Sequence, residues 1–282
     1  MAVFPASASR SSRAYPPRSY RAVIGSLAKV WRVFPLDEPQ ALQSFGSVGE
    51  QALPQCFQLT VWNLYKGHGG AAFWRDFSQL LRGASLLMTQ EVLLDATMRS
   101  HLSQASARSV HAAAYRRADR LRDGVMTVCQ ASPQAPPQRL LSPRCEPLFR
   151  TPKSALLTEY ALAGSAEPLR ALNLHASLFR TPSQARLEMR RWMECVARVR
   201  GPLVVAGDFN TFSRAHFLWI SRELSRWGLR HVPVIPEPRS RRHALDQIYV
   251  RGLRVRAARV LTDVRSSDHF PLVCEVSVGN TP

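Results

Sequence analysis

The sequence predicts an α+β protein, within the broad α/β class, built from mainly antiparallel β-sheets covered by a few helices. Two observations carry that prediction. Strand-like segments greatly outnumber helix-like ones, and several are joined by turns too short for a crossover helix. A third observation sets the scale: 282 residues, 45% of them hydrophobic, suffice to bury a sizeable core.

Charge and composition narrow the function classes. The formal net charge is +18, and Lys29, Lys66 and Lys153 are the only lysines, so almost all the positive charge is arginine. Guanidinium groups suit bidentate phosphate contacts, and the excess of base over acid implies a polyanionic substrate, partner or surface. No run approaches the roughly 18 apolar residues of a membrane-spanning helix. Cys56, Cys129, Cys145, Cys195 and Cys274 are scattered, odd in number and form no CxxC pair. That argues against a disulfide framework or a zinc site and for a reducing compartment, the cytoplasm. Residues 1–44 are rich in Ser, Pro, Ala and Arg, with no acid before Asp37 and no continuous apolar segment. They read as a basic, poorly ordered extension, with an organelle transit peptide as the alternative. Residues 45–282 form the folded domain, expected to act as a monomer.

Phe57–Trp62 alternates as a strand and ends in Asn63-Leu64-Tyr65-Lys66-Gly67. Phe73, Phe77, Leu80 and Leu81 fall at helical spacing, with Gly83 as a stop. Leu86–Thr89 is a short apolar strand that delivers Gln90-Glu91, and Leu94–Gln104 is helical. No element is assigned between 105 and 123. Gly124–Val128 is a strand. Ser132–Pro147, with five prolines, is loop with an edge strand inside it. Ala155–Leu162 and Leu169–Leu174 make a hairpin around Gly164-Ser165, and its second arm delivers Asn173 and His175. Ser183–Arg200 is the longest helix, with Ser183 as N-cap and Leu187, Trp192, Val196 and Val199 toward the core. Leu203–Ala206 is a buried strand, and Gly207 lets the chain turn. Asp208 and Asn210 follow on the same side of an extended chain. Phe217, Ile220, Leu224 and Trp227 mark a helix stopped by Gly228. Pro233–Arg242 is a Pro/Arg-rich loop. Ala244–Val250 is a strand carrying Asp246, Leu253–Leu261 is another, and Leu272–Val278 closes the sheet after the polar turn Ser266–His269.

One pattern recurs along this order. Strand after strand ends in a residue able to bind metal or phosphate: Asn63, Glu91, His175, Asp208 with Asn210, and Asp268 with His269. Turn chemistry explains any one of them, but not the whole series. Asp246 and His269 sit in apolar settings. An unpaired carboxylate there would cost several kcal/mol, so the two are expected to pair. Arg239, Arg241 and Arg242 precede the Asp246 strand and are expected to hold substrate phosphates.

The ordered set Trp62-Asn63, Gln90-Glu91, Asn173-Leu174-His175, Gly207-Asp208-Phe209-Asn210, Leu245-Asp246-Gln247-Ile248 and Ser267-Asp268-His269-Phe270-Pro271-Leu272 resembles the endonuclease/exonuclease/phosphatase superfamily. The likeness spans about Ser44 to Val278. Within the superfamily it narrows to the bacterial YafD-like proteins, on Trp62–Lys66, Gly124–Thr127, Lys153–Leu156 and Tyr249–Leu253.

The resemblance implies a four-layer sandwich of two packed β-sheets flanked by helices, hydrolysing a phosphoester with Mg²⁺ or Mn²⁺. It implies Glu91 as principal metal ligand, with Asn63 beside it and Asp268 near the metal. Asp208 would activate the attacking water, and Asn210 would hold a phosphate oxygen. His175 would stabilise the phosphorane, and His269, held by Asp246, would contact the phosphate. The metal and cationic imidazoles would offset charge growing on the phosphoryl oxygens. Where some nucleases of the family carry an acid two residues after the first Asn, this chain has Tyr65 and then Lys66, which are assigned to substrate contact. That departure, with His175 where repair enzymes tend to carry Tyr, weakens an abasic-site endonuclease reading. The expected activity is a phosphodiesterase or nuclease. The alternatives are a phosphomonoesterase, a phospholipid phosphodiesterase, or a non-catalytic basic nucleic-acid-binding protein.

Overall fold

Period-two patterning builds two sheets whose inner faces share one core. The computed structural model describes residues 33–47, 50–146, 150–178, 181–196, 200–234 and 245–279. The first sheet holds β1 (Val33–Phe34), β2 (Leu42–Phe45), β3 (Cys56–Asn63), β4 (Leu86–Leu93), β5 (Arg108–Arg117) and β6 (Arg122–Cys129). The second holds β7 (Gln138–Leu141), β8 (Ser154–Tyr160), β9 (Leu169–His175), β10 (Leu203–Asp208), β11 (Arg230–His231) and β12 (Asp246–Arg251). β13 (Leu253–Val260) and β14 (Leu272–Val278) return to the first sheet. The orders are β1-β5-β6-β4-β3-β14-β13, with β2 also on β5, and β11-β12-β10-β9-β8-β7.

Each sheet contains one parallel pair, β3 with β4 and β9 with β10, among antiparallel neighbours. A parallel pair needs a long crossover, and a helix supplies it in both cases. Helix α2 (Gly70–Gly83) joins β3 to β4, and α4 (Pro182–Glu194) joins β9 to β10. The short α1 (Glu38–Ala41), α3 (Ala96–Ser103) and α5 (Arg214–Ser225) complete the described helices.

Alternation along β10 shows the layering. Val204 and Ala206 face the inter-sheet core with Leu59, Val61, Met88 and Ile248. Leu203 and Val205 face Met189, Trp192, Ile220 and Leu224 of α4 and α5. On the far side, Trp62, Leu87 and Met126 pack against Phe73, Phe77 and Leu80 of α2 and Met98 and Leu102 of α3. This is the expected four-layer sandwich.

Several local expectations shift. β5, a ten-residue strand, occupies the stretch left without an element. Its centre, Ala112-Ala113-Ala114, lacks the β-branched residues that advertise a strand. The expected boundary at residue 44/45 falls inside β2, which pairs with β5; residues 1–32 lie outside the described residues. α4 is capped by Thr181 rather than Ser183. The Thr181 hydroxyl accepts from Gln184 N–H and the Gln184 side chain accepts from Thr181 N–H, a reciprocal capping box with Pro182 at the first helical position. α4 ends at Glu194 rather than Arg200, and Val199 lies outside the described residues. Leu187 is 43% exposed. Trp192 and Val196 are buried as expected, and Ala185, Glu188, Met189 and Met193 complete the inward face, buried Glu188 accepting hydrogen bonds from Ser177 N–H and Oγ–H.

Candidate active site

Strand register assembles half of the site. His175, Asp208 and Asp246 are direct Cα partners across β9, β10 and β12, so three consecutive strands deliver their polar ends in one row. Gly207 makes this possible: its φ is +140°, and a Cβ there would collide with the Leu174 carbonyl oxygen. Asn210 does not continue an extended chain beside Asp208, as expected from sequence. It adopts φ +51°, its N–H donates to Asp208 Oδ1 at 2.9 Å, and its side-chain amide donates to the Ala176 carbonyl at 2.7 Å. The Asp-x-Asn spacing thus closes a turn that fixes the Asp208 carboxylate.

The loop before β14 brings His269 to this row. Trp62 Nε1–H donates to the His269 carbonyl at 2.9 Å, and Ser267 Oγ–H donates to the Asn63 carbonyl at 2.7 Å, locking the loop onto β3. His269 Nδ1 lies 2.6 Å from Asp246 Oδ2. Burial opposes charge on the ring, but the Asp246 carboxylate, through charge and hydrogen bond, prevails and raises the His269 pKa to about 10. The expected pairing is therefore present. Burial and then the neighbouring Asp246 charge push Asp208 up to about 6, against the opposing pull of His269, Asn210 N–H and the Asn63 amide.

The other half comes from the first sheet and is built by irregularity. Asn63 and Gln90 are partners on β3 and β4. The β4–β6 register then shifts between Thr89 and Val92, and Glu91 within that bulge has φ +51°. Tyr65 and Lys66 also have positive φ, +48° and +56°. Four of the six non-glycine residues with positive φ among the described residues (Tyr65, Lys66, Glu91 and Asn210) belong to the site, where such strain tends to collect.

The consequence is an ion pair not foreseen from sequence. Lys66 Nζ lies 2.7 Å from Glu91 Oε2 and 3.7 Å from Asp123 Oδ2, and Tyr115 O–H donates to Asp123 at 3.0 Å. Glu91 therefore has a cationic partner. Burial works against its charge, but Lys66, then Lys153 and His175, hold its carboxyl well below the usual range. Lys66 is held above its ordinary value, burial being outweighed by Glu91 and Asp123.

His175 links the halves. Its Nε2 is 3.7 Å from Asp208 Oδ2 and 4.0 Å from Glu91 Oε1. Burial and then Lys153 drive its pKa well below the ordinary histidine value. The expectation of two cationic imidazoles is corrected: His269 carries charge at neutral pH, and His175 is neutral. Asn63 Nδ2–H donates to Asp208 Oδ2 at 3.1 Å, a second link. Gln90 and Asn173 lie beneath the site rather than in it: Gln90 Nε2–H donates to Asn173 Oδ1 at 2.7 Å, tying the sheets together. Asp268 sits at the rim, its side chain 55% exposed and Oδ1 4.0 Å from His269 Nε2. A cleft of about 570 Å³ opens beside it, lined by Tyr65, His68, Arg75, Arg265 and Asp268 among others. Arg239, Arg241 and Arg242 lie outside the described residues.

Lys153 and Asp123 were not singled out as site residues from sequence. A signal existed for Lys153: in a chain whose cations are almost all arginine, two of three lysines act on Glu91.

The donor set suits a hard divalent cation. Glu91 Oε1, Asn63 Oδ1 and the carboxylates of Asp208 and Asp268 are all oxygen donors, as Mg²⁺ prefers. Asp208, Asp246 and His269 place ligand atoms within 4.8 Å of one another, and among the described residues buried Asp246 Oδ1 has no hydrogen-bond partner.

Residues 60–269 match the Endonuclease/Exonuclease/phosphatase family. The chain belongs to that family. Its members include phosphodiesterases, nucleases and phosphatases. A UPF0294 protein of Vibrio cholerae is 28% identical over 275 residues, covering 90% of this chain and 94% of that protein, which supports the narrower YafD-like resemblance. The crystal structure of an endonuclease/exonuclease/phosphatase from Beutenbergia cavernae aligns with a TM-score of 0.62 at 17% identity, covering 80% of this chain and 72% of that one. ANGEL2, described as a 2′,3′-cyclic phosphatase, aligns with a TM-score of 0.59 at 14% identity, over 79% of this chain and 96% of that chain. Among the described residues, no helix is long and apolar enough to cross a membrane.

Proposed function

We propose that this protein is a Mg²⁺-dependent phosphodiesterase, with Mn²⁺ able to substitute, acting as a monomer on a polyanionic substrate in the cytoplasm. The observation that carries the reading is the Asp208 row: a buried carboxylate in register between His175 and Asp246, facing Glu91 and Asn63 across the inter-sheet seam. The free state of all five cysteines supports the reducing location.

Glu91, Asn63 and Asp268 would hold the metal, which when bound supplies Lewis-acid stabilisation of phosphoryl oxygens. The remaining work falls to the chain's own residues. Asp208, with its pKa raised to about 6, is ionised at neutral pH yet basic enough to take a proton from the attacking water. The Asn63 amide and Asn210 N–H orient its two oxygens. His269, cationic through Asp246, presents Nε2 to a phosphoryl oxygen. Neutral His175 donates a hydrogen bond where charge develops. Asn210 retains one amide N–H beyond its bond to Ala176 for a phosphate oxygen. Tyr65 lines the cleft and would contact substrate there, with Lys66 next to it in the chain.

Bis(p-nitrophenyl) phosphate, p-nitrophenyl phosphate and a 2′,3′-cyclic nucleotide, each assayed with Mg²⁺, test the reading. The diester is expected to be hydrolysed fastest, with activity lost in EDTA and in Asp208→Ala. Preferential turnover of p-nitrophenyl phosphate would redirect the assignment to a phosphomonoesterase, and preferential turnover of the cyclic nucleotide, the activity for which ANGEL2 is described, would narrow it to cyclic phosphates. Full activity in EDTA would refute it.

A further inference from the structure

Helices α4 and α5 leave β9 and β10 just beyond His175 and Asp208, so both begin at the active-site end of the second sheet. Their inner faces are spent on the core. Between them runs a groove of about 330 Å³ that shares no residue with the site, lined by Arg186, Arg190, Trp219, Arg222, Glu223 and Arg226. Four guanidinium groups thus converge on one concavity against a single acid. Glu223 is already held by Arg226 at 2.8 Å. Among the described residues, no acid lies within ion-pair distance of Arg186, Arg190 or Arg222. Exposed arginines repel one another and ordinarily splay apart or pair. Here helical spacing holds them on one face: Arg186 and Arg190 are i,i+4 on α4, Trp219 and Arg222 are i,i+3 on α5, and Arg226 caps the C-terminus of α5. The single aromatic lining it, Trp219, is half-buried against the core and stacked with His216 at 6.3 Å, with the Arg186 guanidinium 5.9 Å from its ring centroid.

We propose that this groove is a non-catalytic binding track for single-stranded polynucleotide, with arginines on successive phosphates and Trp219 available to a base. The charge complementarity is that of a phosphodiester chain. The step from Arg186 to Arg190 is about 6 Å along the helix, comparable to the advance between phosphates of an extended strand. An aromatic set among cations is the pattern that binds single strands without sequence preference. A bilayer would prefer a flat or convex face, whereas this one is concave. The track leads toward the site, so a chain lying in it would present a diester there; only that last point rests on the proposed function, and it would make an extended single strand the substrate class.

The test separates binding from hydrolysis. Fluorescence anisotropy with labelled thirty-nucleotide oligo(dT), on the full chain without Mg²⁺, reads the track. Bis(p-nitrophenyl) phosphate hydrolysis with Mg²⁺ reads the site. The triple variant Arg186→Ala/Arg190→Ala/Arg222→Ala alters exposed positions on formed helices. It should bind oligo(dT) at least about tenfold more weakly, with the log K–log salt slope shallower by about 2, as loss of three single-strand phosphate contacts requires. Its diester hydrolysis should stay at the wild-type rate. Trp219→Ala should weaken binding about fivefold or more, with Trp219→Phe restoring most of it. Wild-type affinity and slope in the triple variant would overturn the track. So would loss of binding to phosphatidylserine vesicles, but not to oligo(dT), which would mark a lipid-facing surface. Absence of diester hydrolysis in the wild type, with oligo(dT) binding intact, would refute the proposed activity and leave the track standing.

Discussion

The two halves of the site each hold a half-buried cation against a carboxylate, at 2.6 Å for His269 with Asp246 and 2.7 Å for Lys66 with Glu91. They reach that arrangement by opposite routes. The second-sheet half is regular: three strands in register place His175, Asp208 and Asp246 in a row, and one glycine ends the central strand. The first-sheet half is irregular: a bulge and three left-handed residues turn Tyr65, Lys66 and Glu91 inward. On the proposed function, the regular strands would fix where protons move and the strained segment where charge is held. The second half is therefore expected to respond to pH, the first to metal.

The largest effect should come from the strained half. Glu91→Ala should lower phosphodiester hydrolysis roughly 10³-fold, as removal of a metal-site carboxylate should. The variant should still fold, since Lys66 keeps Asp123 as a counter-charge at 3.7 Å. Circular dichroism and a Mg²⁺ titration check both points. Loss confined to the substrate KM would place Glu91 in substrate binding instead.

The regular half comes next. Asp246→Asn and His269→Ala should each cost about 10²–10³-fold, and the double variant little more, because the pair acts as a unit. The pH profile carries the signature. Ionised Asp208 is needed, so activity should rise as pH passes about 6. Protonated His269 is needed, so activity should fall as pH passes about 10, and Asp246→Asn should move that alkaline limb down. The same linkage applies to stability. His269 is raised from 6.5 to about 10, so the pair's stabilisation is fully present below about 6.5 and is lost as pH rises to about 10. An unmoved alkaline limb in Asp246→Asn would dissolve the pair as a functional unit.

Lys66→Met sharpens the contrast by reading stability. It leaves Glu91 and Asp123 in a largely buried setting without their cation, and should cost about 3 kcal/mol in urea unfolding. A cost under 1 kcal/mol would mean that water serves Glu91 as well as Lys66 does.

The same contrast explains what could be read from sequence. Gly207-Asp208-Phe209-Asn210 and Ser267-Asp268-His269 announce themselves because adjacent residues at strand ends remain adjacent in the fold. The need to neutralise a carboxylate in an apolar strand also pointed from Asp246 to His269. Lys66 with Glu91 was hidden, because the contact depends on a bulge and on backbone conformations that residue type does not encode. Asp123 was hidden with it: its strand pairs with β5, whose alanine-rich centre carries little strand signal.

The finest distinction concerns why a chain that uses arginine almost everywhere keeps lysine at 66. An ammonium is a point charge. Here it holds one oxygen of Glu91, Oε2, and leaves Oε1 toward His175, 4.0 Å away. A guanidinium is a planar fork that takes both oxygens of a carboxylate. In Lys66→Arg the charge would be kept, so stability should change by less than about 1 kcal/mol. Yet Glu91 Oε1 would be drawn into a bidentate pair and lost as a metal donor. Hydrolysis at limiting Mg²⁺ should therefore fall about tenfold, a loss typical of disturbing the groups that orient a metal ligand, while saturating Mg²⁺ should restore most of it. An equal loss at all Mg²⁺ concentrations would show that Lys66 meets the substrate directly, and that charge in the strained half is held for phosphate rather than for metal.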